Sequence, residues 1–184
     1  MKTLIWKGIA YQSLEYFNLK ESNENYIVES RIIGSYKEQI YNVKYNLTID
    51  NNWKIQEFNI ESEVNSGKNK LTGKKLQNNW EINNVINPDF KDFIFIDISL
   101  TPFTNTLPIN HLQIPEGNSQ EIKVIYIDVL NNIIKPVPQL YTRISMDQYR
   151  YENLTSDFKA DILVDKNGLV VNYPGLFEKT EELS

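Results

Sequence analysis

In residues 41–49 the apolar Tyr41, Val43, Tyr45, Leu47 and Ile49 alternate with Asn42, Lys44, Asn46 and Thr48. That period of two predicts a strand with one face buried and one wet. The turn Asp50-Asn51-Asn52 follows. In Trp53-Lys54-Ile55-Gln56-Glu57-Phe58-Asn59-Ile60 the apolar phase then slips between Ile55 and Phe58, as a β-bulge makes it slip. These two segments are expected to form a hairpin. A second Asn-Asn-Trp, at Asn78-Asn79-Trp80, lies between a strand-like segment ending near Leu76 and one beginning at Trp80, which reads as a meander. Shorter strands are expected at 14–19 and at 26–33, the latter closed by a turn at Gly34. Residues 93–100 place Ile94, Ile96, Ile98 and Leu100 on one face and Phe93, Phe95, Asp97 and Ser99 on the other. Both faces read as covered, which predicts a central strand. More strands are expected at 121–129 and 140–151. A last hairpin pairs 158–164 with 169–173 around Asp165-Lys166-Asn167-Gly168, where Asn-Gly suits the positive φ of a tight turn. The best place for one short helix is 104–111, despite Pro108. The pattern as a whole is that of a mainly β chain.

Composition narrows the class. A length of 184 residues suits one domain, residues 1–184, with one continuous core. Hydrophobic residues make up 41% and the mean hydropathy is −0.44, values of a water-soluble globular protein with no integral membrane segment. The apolar run Leu4-Ile5-Trp6 is bracketed by Lys2 and Lys7 and is too short for a secretory signal, so a cytoplasmic protein is expected. The absence of cysteine removes disulfides, thiolate nucleophiles and sulfur ligands. A net charge of −5 opposes nucleic-acid binding, whose affinity rests on phosphate neutralisation. The one basic cluster, Lys68, Lys70, Lys74 and Lys75, reads as a solvated loop or hairpin.

Most familiar chemistries lack their residues. The single histidine, His111, has no Gly-x-Ser-x-Gly companion and reads as structural or surface. No spacing of histidines or carboxylates suits zinc, and the glycine of Asp165-Lys166-Asn167-Gly168 comes too early for a calcium loop. No phosphate loop or dinucleotide fingerprint occurs. No cofactor and no metal are therefore expected. Asp97 is more informative, because desolvation on an aromatic face penalises its charged form. Such an aspartate serves acid-base chemistry, or it ties strand to loop through Ser99, Thr101 or backbone amides. Taken as one strand, 140–151 puts Tyr141, Arg143, Ser145, Asp147, Tyr149 and Tyr151 on one side. Tyrosine faces and a guanidinium suit a sugar or lipid headgroup. Cross-strand tyrosine pairs with an Arg–Asp surface bridge give the same pattern.

Specific motifs carry a resemblance. They are Asp97-Ile98-Ser99-Leu100-Thr101-Pro102-Phe103-Thr104-Asn105-Thr106-Leu107-Pro108-Ile109 with Leu112, then Gln139, Tyr141, Tyr149, Phe158, Asp165, Gly168-Leu169-Val170 and Tyr173-Pro174-Gly175-Leu176-Phe177. The chain resembles a bacterial glycolipid-binding family in these positions, and Trp6, Glu15, Gly34, Trp53 and Trp80 also fall where that family places such residues. The resemblance implies a spiral β-roll, a many-stranded antiparallel sheet wrapped around a single short helix. It further implies a non-enzymatic protein that binds a glycolipid or lipid in an apolar groove of the roll. The candidate ligand-binding residues are Asp97, Thr101, Asn105, Gln139, Tyr141, Arg143 and Tyr173. The family follows Pro-Ile with two arginines, whereas Asn110-His111 stands here, which leaves Arg143 as the main cation for an anionic headgroup. Two alternatives stay open: an enzyme on a sugar- or lipid-like substrate with Asp97 as acid or base, and a structural module whose tyrosine strip joins a homo-oligomer.

Overall fold

The computed structural model describes residues 1–22 and 24–183. Among the described residues fifteen strands form one sheet. In chain order they are β1 (Lys2–Gly8), β2 (Ser13–Glu21), β3 (Asn25–Tyr36), β4 (Gln39–Asp50), β5 (Ile55–Val64), β6 (Gly67–Leu76), β7 (Asn79–Ile82) and β8 (Val85–Asn87), then β9 (Phe95–Ile98), β10 (Ser119–Asp128), β11 (Ile133–Arg143), β12 (Gln148–Asn153), β13 (Lys159–Val164), β14 (Val170–Tyr173) and β15 (Phe177–Leu183). The helix α1 (Thr106–Leu112) follows a 3-10 turn at Phe103–Asn105. In the sheet, β8 to β1 run in descending order, β15 joins β1, and β14 to β9 complete the series. Every pairing is antiparallel except β9 with β10.

Chain connectivity forces this sheet to curl. Fifteen strands about 4.8 Å apart would make a flat ribbon roughly 65 Å wide, yet its two edges, β8 and β9, are joined by residues 88–94 alone. The link from Asn87 to Phe95 reaches at most about 28 Å when fully extended. The sheet therefore rolls until its edges approach, and it stays an open roll because β8 and β9 do not pair. From β9 the chain enters the roll as the 3-10 turn and α1. Contacts radiate from that segment to distant strands: Phe17 of β2 packs on Phe103 at 4.7 Å between centroids, Tyr141 of β11 donates to Asn105 Oδ1 at 2.8 Å, and Thr106 Oγ1 donates to the Gly168 carbonyl at 2.9 Å. His111 Nδ1 donates to the Asn52 carbonyl at 2.6 Å while its ring meets Phe95 edge-on. Thr106, Leu107, Pro108 and Ile109 are buried. The sheet thus wraps one short helix, and its inner face supplies a single hydrophobic cluster.

Several sequence expectations change. The 41–49 alternation is β4 with all five apolar residues buried, and the phase slip is a bulge that pairs Thr48 with Glu57 but Ile49 with Ile55. Gly34 makes no turn. It lies inside β3, where any side chain would collide with Ser13, the Tyr41 hydroxyl and the Gln12 carbonyl, so it serves the close approach of the β1–β2 turn. The strand read as central, β9, is an edge. It is covered on both faces because the roll encloses it, and its edge groups find partners elsewhere: Ile94 O accepts from Ile55 N, and Ile98 N donates to Thr104 Oγ1. Residues 140–151 are two antiparallel strands with a turn between them, pairing Tyr141 with Tyr151 and Arg143 with Tyr149. Their tyrosines point into the core, so the strip is no outer surface. In the last hairpin only Gly168 has positive φ, at 73°. Among the described residues no helix is long and apolar enough to cross a membrane.

Candidate functional site

The inner end of β9 opens on a cup of about 220 Å³. Asp97, Thr101 and Asn105 form its floor and Tyr173 one wall, with Tyr11, Tyr126, Tyr151 and Phe177 completing the ring. The elements explain the assembly. Tyr126 stands beside Asp97 in the parallel β9–β10 register, Tyr173 ends β14, and Tyr11 comes from the β1–β2 turn. The rings run on from one another: Tyr11 to Phe177 at 5.6 Å, Phe177 to Tyr173 at 6.2 Å and Tyr173 to Tyr151 at 6.3 Å between centroids.

Asp97 Oδ2 accepts from Gln139 Nε2 at 2.6 Å and Oδ1 from Thr104 Oγ1 at 3.3 Å. Desolvation raises its pKa above the ordinary aspartate value, and those two donors oppose the rise. Its partners are therefore Gln139 and Thr104, not Ser99 or Thr101. Ser99 instead accepts from Val129 N at 3.2 Å. Burial, and after it the charges of Asp97 and Asp128, holds the Tyr126 phenol up. The same burial pushes Tyr11 up to about 12. These tyrosines are neutral donors at any physiological pH.

Two of the sequence candidates stand behind the cup. Gln139 is buried and holds Asp97, and Tyr141 is buried and holds Asn105, whose Nδ2 donates to the Pro102 carbonyl at 3.1 Å. Arg143 is elsewhere, and the expectation that it shares a headgroup site with Asn105 and Tyr141 is corrected. It sits at the opposite end of the roll, in an open cleft of about 830 Å³ with Lys2, Trp53 and Asp165. There its guanidinium donates to the carbonyls of Ser145, Ile114 and Met146 at 3.1, 3.2 and 3.3 Å and lies over the Tyr149 ring. Three of its five N–H donors go to backbone carbonyls, and Asp147 accepts from Ser145 rather than from Arg143.

The sequence reading passed over Glu15 as a site residue. It is buried, and its Oε1 accepts from Tyr45 at 2.5 Å, Ser30 at 2.7 Å and Thr101 at 3.0 Å, while Oε2 has no partner among the described residues. Burial pushes its pKa up to about 7 against the pull of those three donors. A signal was present: Ser13, Glu15, Phe17 and Leu19 share the inward phase of β2. Through Thr101 this carboxyl touches the floor of the cup without lining it. Among the described residues no group of His, Asp or Glu could hold a metal ion.

A family model described as "Putative glycolipid-binding" matches residues 3–179. The chain belongs to this family. The family's reach takes in both ends of the roll, the cup and the cleft alike. Among solved structures, a DUF1089 family protein from Pseudomonas aeruginosa is similar at 32% identity and a TM-score of 0.79, over 90% of this chain and 92% of that one. A β-barrel-like protein of domain of unknown function DUF1849 from Brucella abortus shares the fold alone, at 9% identity and a TM-score of 0.60 over 98% and 95% of the two chains. No curated protein matches.

Proposed function

We propose that this family member binds an amphiphile without transforming it, holding the headgroup in the cup and laying the tail along the adjoining surface. The observation that carries this reading is that two concave features adjoin the same β1–β2 turn. Tyr11 of that turn walls the cup, and its neighbours Ile9, Gln12 and Ser13 line an open groove of about 610 Å³ with Leu14 and Ile33. Ile9, Leu14 and Ile33 are exposed apolar side chains grouped beside a polar, aromatic mouth, the arrangement that a molecule with one wet and one oily end requires. The cup has room for one ring-sized group and none for an acyl chain, so the tail stays outside the roll. Each buried methylene contributes about 0.8 kcal/mol. An open groove covers only one side of a chain, so the tail alone does not offset an association cost on the order of 4–15 kcal/mol. Headgroup contacts must supply the remainder.

Native mass spectrometry of gently purified protein, followed by solvent extraction, tests this. The expected result is a stoichiometric lipid or glycolipid that is lost from Tyr173→Ala and from Leu14→Asp. Clean apo-protein that also takes nothing from vesicles of total bacterial lipid sinks the reading. The enzyme alternative draws on the raised pKa of Asp97. It requires Asp97→Asn to abolish a turnover that the wild type displays on a sugar- or lipid-like substrate, with the fold intact. The oligomer alternative loses its surface, since Tyr141 and Tyr149 are buried within the chain.

A further inference from the structure

Among the described residues Asp97 is the only charged side chain that lines the cup. Asp97 opens on it, Asp128 stands close enough to raise the Tyr11 and Tyr126 phenols, and among the described residues no lysine or arginine lines it. Asp97 takes part in no ion pair among the described residues; its two partners are a neutral amide and a hydroxyl. A carboxylate with both oxygens engaged this way still has acceptor capacity, since each oxygen carries two lone pairs. The rings around it present negative quadrupole faces and hydroxyls. The Tyr126 and Tyr173 hydroxyls make no hydrogen bond to another described residue. One cation stands outside that lining: the Lys135 ammonium, from the neighbouring strand, lies 5.9 Å from the Tyr126 ring centroid.

From this geometry we infer that the cup selects a compact organic ammonium, one ring or smaller, seated against the Asp97 carboxylate and caged by Tyr11, Tyr126, Tyr151 and Tyr173. The inference rests on the cup being the headgroup site and adds the charge of that headgroup: an amine-bearing sugar rather than a neutral or phosphorylated one. Three physical effects agree. An ammonium donates charge-assisted bonds to the idle lone pairs of Asp97. It is attracted to aromatic faces in a desolvated site more strongly than a neutral ring is. The negative potential of the concave surface raises its local concentration and repels phosphate. Asn105 is already satisfied by Tyr141 and Pro102 and acts as a fixed floor.

The test is isothermal titration of the full chain at low salt with glucosamine, glucose and tetramethylammonium, repeated on Asp97→Asn and Tyr126→Leu. Glucosamine is expected to bind at least about tenfold more tightly than glucose. Asp97→Asn brings the two sugars to equal affinity. Tyr126→Leu keeps the carboxylate and weakens glucosamine several-fold; Tyr126 is only partly buried, so this variant stands if Asp97→Asn fails to fold. Equal binding of glucose and glucosamine by the wild type overturns the charge preference and leaves the headgroup reading standing. A preference for glucosamine that persists in a folded Asp97→Asn also overturns it. Tetramethylammonium bound in an Asp97-dependent way, with glucosamine excluded, keeps the cation and removes the sugar. If none of the three probes binds, the ammonium inference is overturned, while the amphiphile reading stands or falls on the lipid extraction and vesicle uptake.

Discussion

The two ends of the roll each hold a charged side chain in a concave setting, and they use it differently. At one end Asp97 meets two neutral donors and a ring of tyrosines, of which Tyr126 and Tyr173 keep hydroxyls without a hydrogen bond to another described residue. At the other, Arg143 meets three backbone carbonyls and one tyrosine face. The Arg143 cleft is the larger, at about 830 Å³ against 220 Å³, and by size alone it would be the site. The ring of aromatic side chains around Asp97 reverses that order. A guanidinium held by the carbonyls of Ser145, Ile114 and Met146 pins a turn in an open cleft, whereas the Asp97 carboxylate keeps lone pairs facing a cavity ringed by tyrosines. The helix joins the two, with Asn105 at the cup and Gln113 at the cleft.

Glu15 offers the strongest test of that distinction, because it has an idle oxygen but no cavity. If idle capacity matters only where a ligand can reach it, Glu15 is simply a cost to the fold. Its pKa rises from 4.5 in the unfolded chain to about 7 in the folded one, so the folded state keeps a proton that the unfolded state has released. Stability is then fullest below pH 4.5 and falls as pH rises to 7, by about 3 kcal/mol from this group. Glu15→Gln keeps an oxygen for Tyr45, Ser30 and Thr101, removes the charge, and should be more stable than wild type at pH 7 by that order. Urea denaturation of both proteins from pH 4.5 to 8 measures it. The difference between the curves isolates Glu15 from Asp97, whose raised pKa acts in the same direction. Parallel curves would show that Glu15 is solvated, and a loss of ligand binding in Glu15→Gln would mean that idle capacity without a cavity is functional after all.

How much of this could be read from the chain depended on range. The β4 alternation, the bulge at Gln56 and the hairpin at Gly168 are local, and periodicity located them. No helical stripe marked the helix; 104–111 was only the best place for one despite Pro108, and α1 spans Thr106–Leu112. The error at 140–151 has an arithmetical cause. Arg143 pairs with Tyr149 across an odd number of intervening residues, so paired positions keep the same parity and one strand cannot be told from two. That single confusion turned inward tyrosines into an imagined outer strip and set Arg143 beside Asn105. The edge position of β9 was hidden for another reason: the roll covers both its faces, and burial imitates a central strand. The pairing of β1 with β15, which makes the sheet continuous, joins segments at the two ends of the sequence that no local pattern connects. Of the site, Asp97, Thr101, Asn105 and Tyr173 line the cup, while Tyr11 and Tyr126 needed the fold to bring them there.

Arg143→Met sharpens the comparison from the other end. Methionine keeps apolar length over Tyr149 and removes the donors to three carbonyls, at a cost of about 2 kcal/mol once partial exposure is allowed for. Thermal and urea unfolding are expected to show that loss, while glucosamine titration at the cup stays within error of wild type. Unchanged stability with weakened binding would reverse the assignment and make the guanidinium a ligand contact.

The smallest effect is expected where the comparison is most delicate, at Tyr141, which supports the cup without lining it. Tyr141→Phe deletes only the hydroxyl that donates to Asn105 Oδ1. The ring keeps its edge contact with Tyr151 at 5.5 Å, so no cavity opens beyond one oxygen. The loss is one neutral hydrogen bond plus a partly desolvated amide oxygen, about 1 kcal/mol by urea denaturation. Asn105 keeps its bond to the Pro102 carbonyl, so the floor holds its place and glucosamine affinity should change less than about threefold, well short of the effect of Asp97→Asn. If Tyr141→Phe instead matched Asp97→Asn in binding while costing no stability, the hydroxyl would have to reach the ligand directly. The division between residues that face the cup and residues that stand behind it would then be drawn in the wrong place.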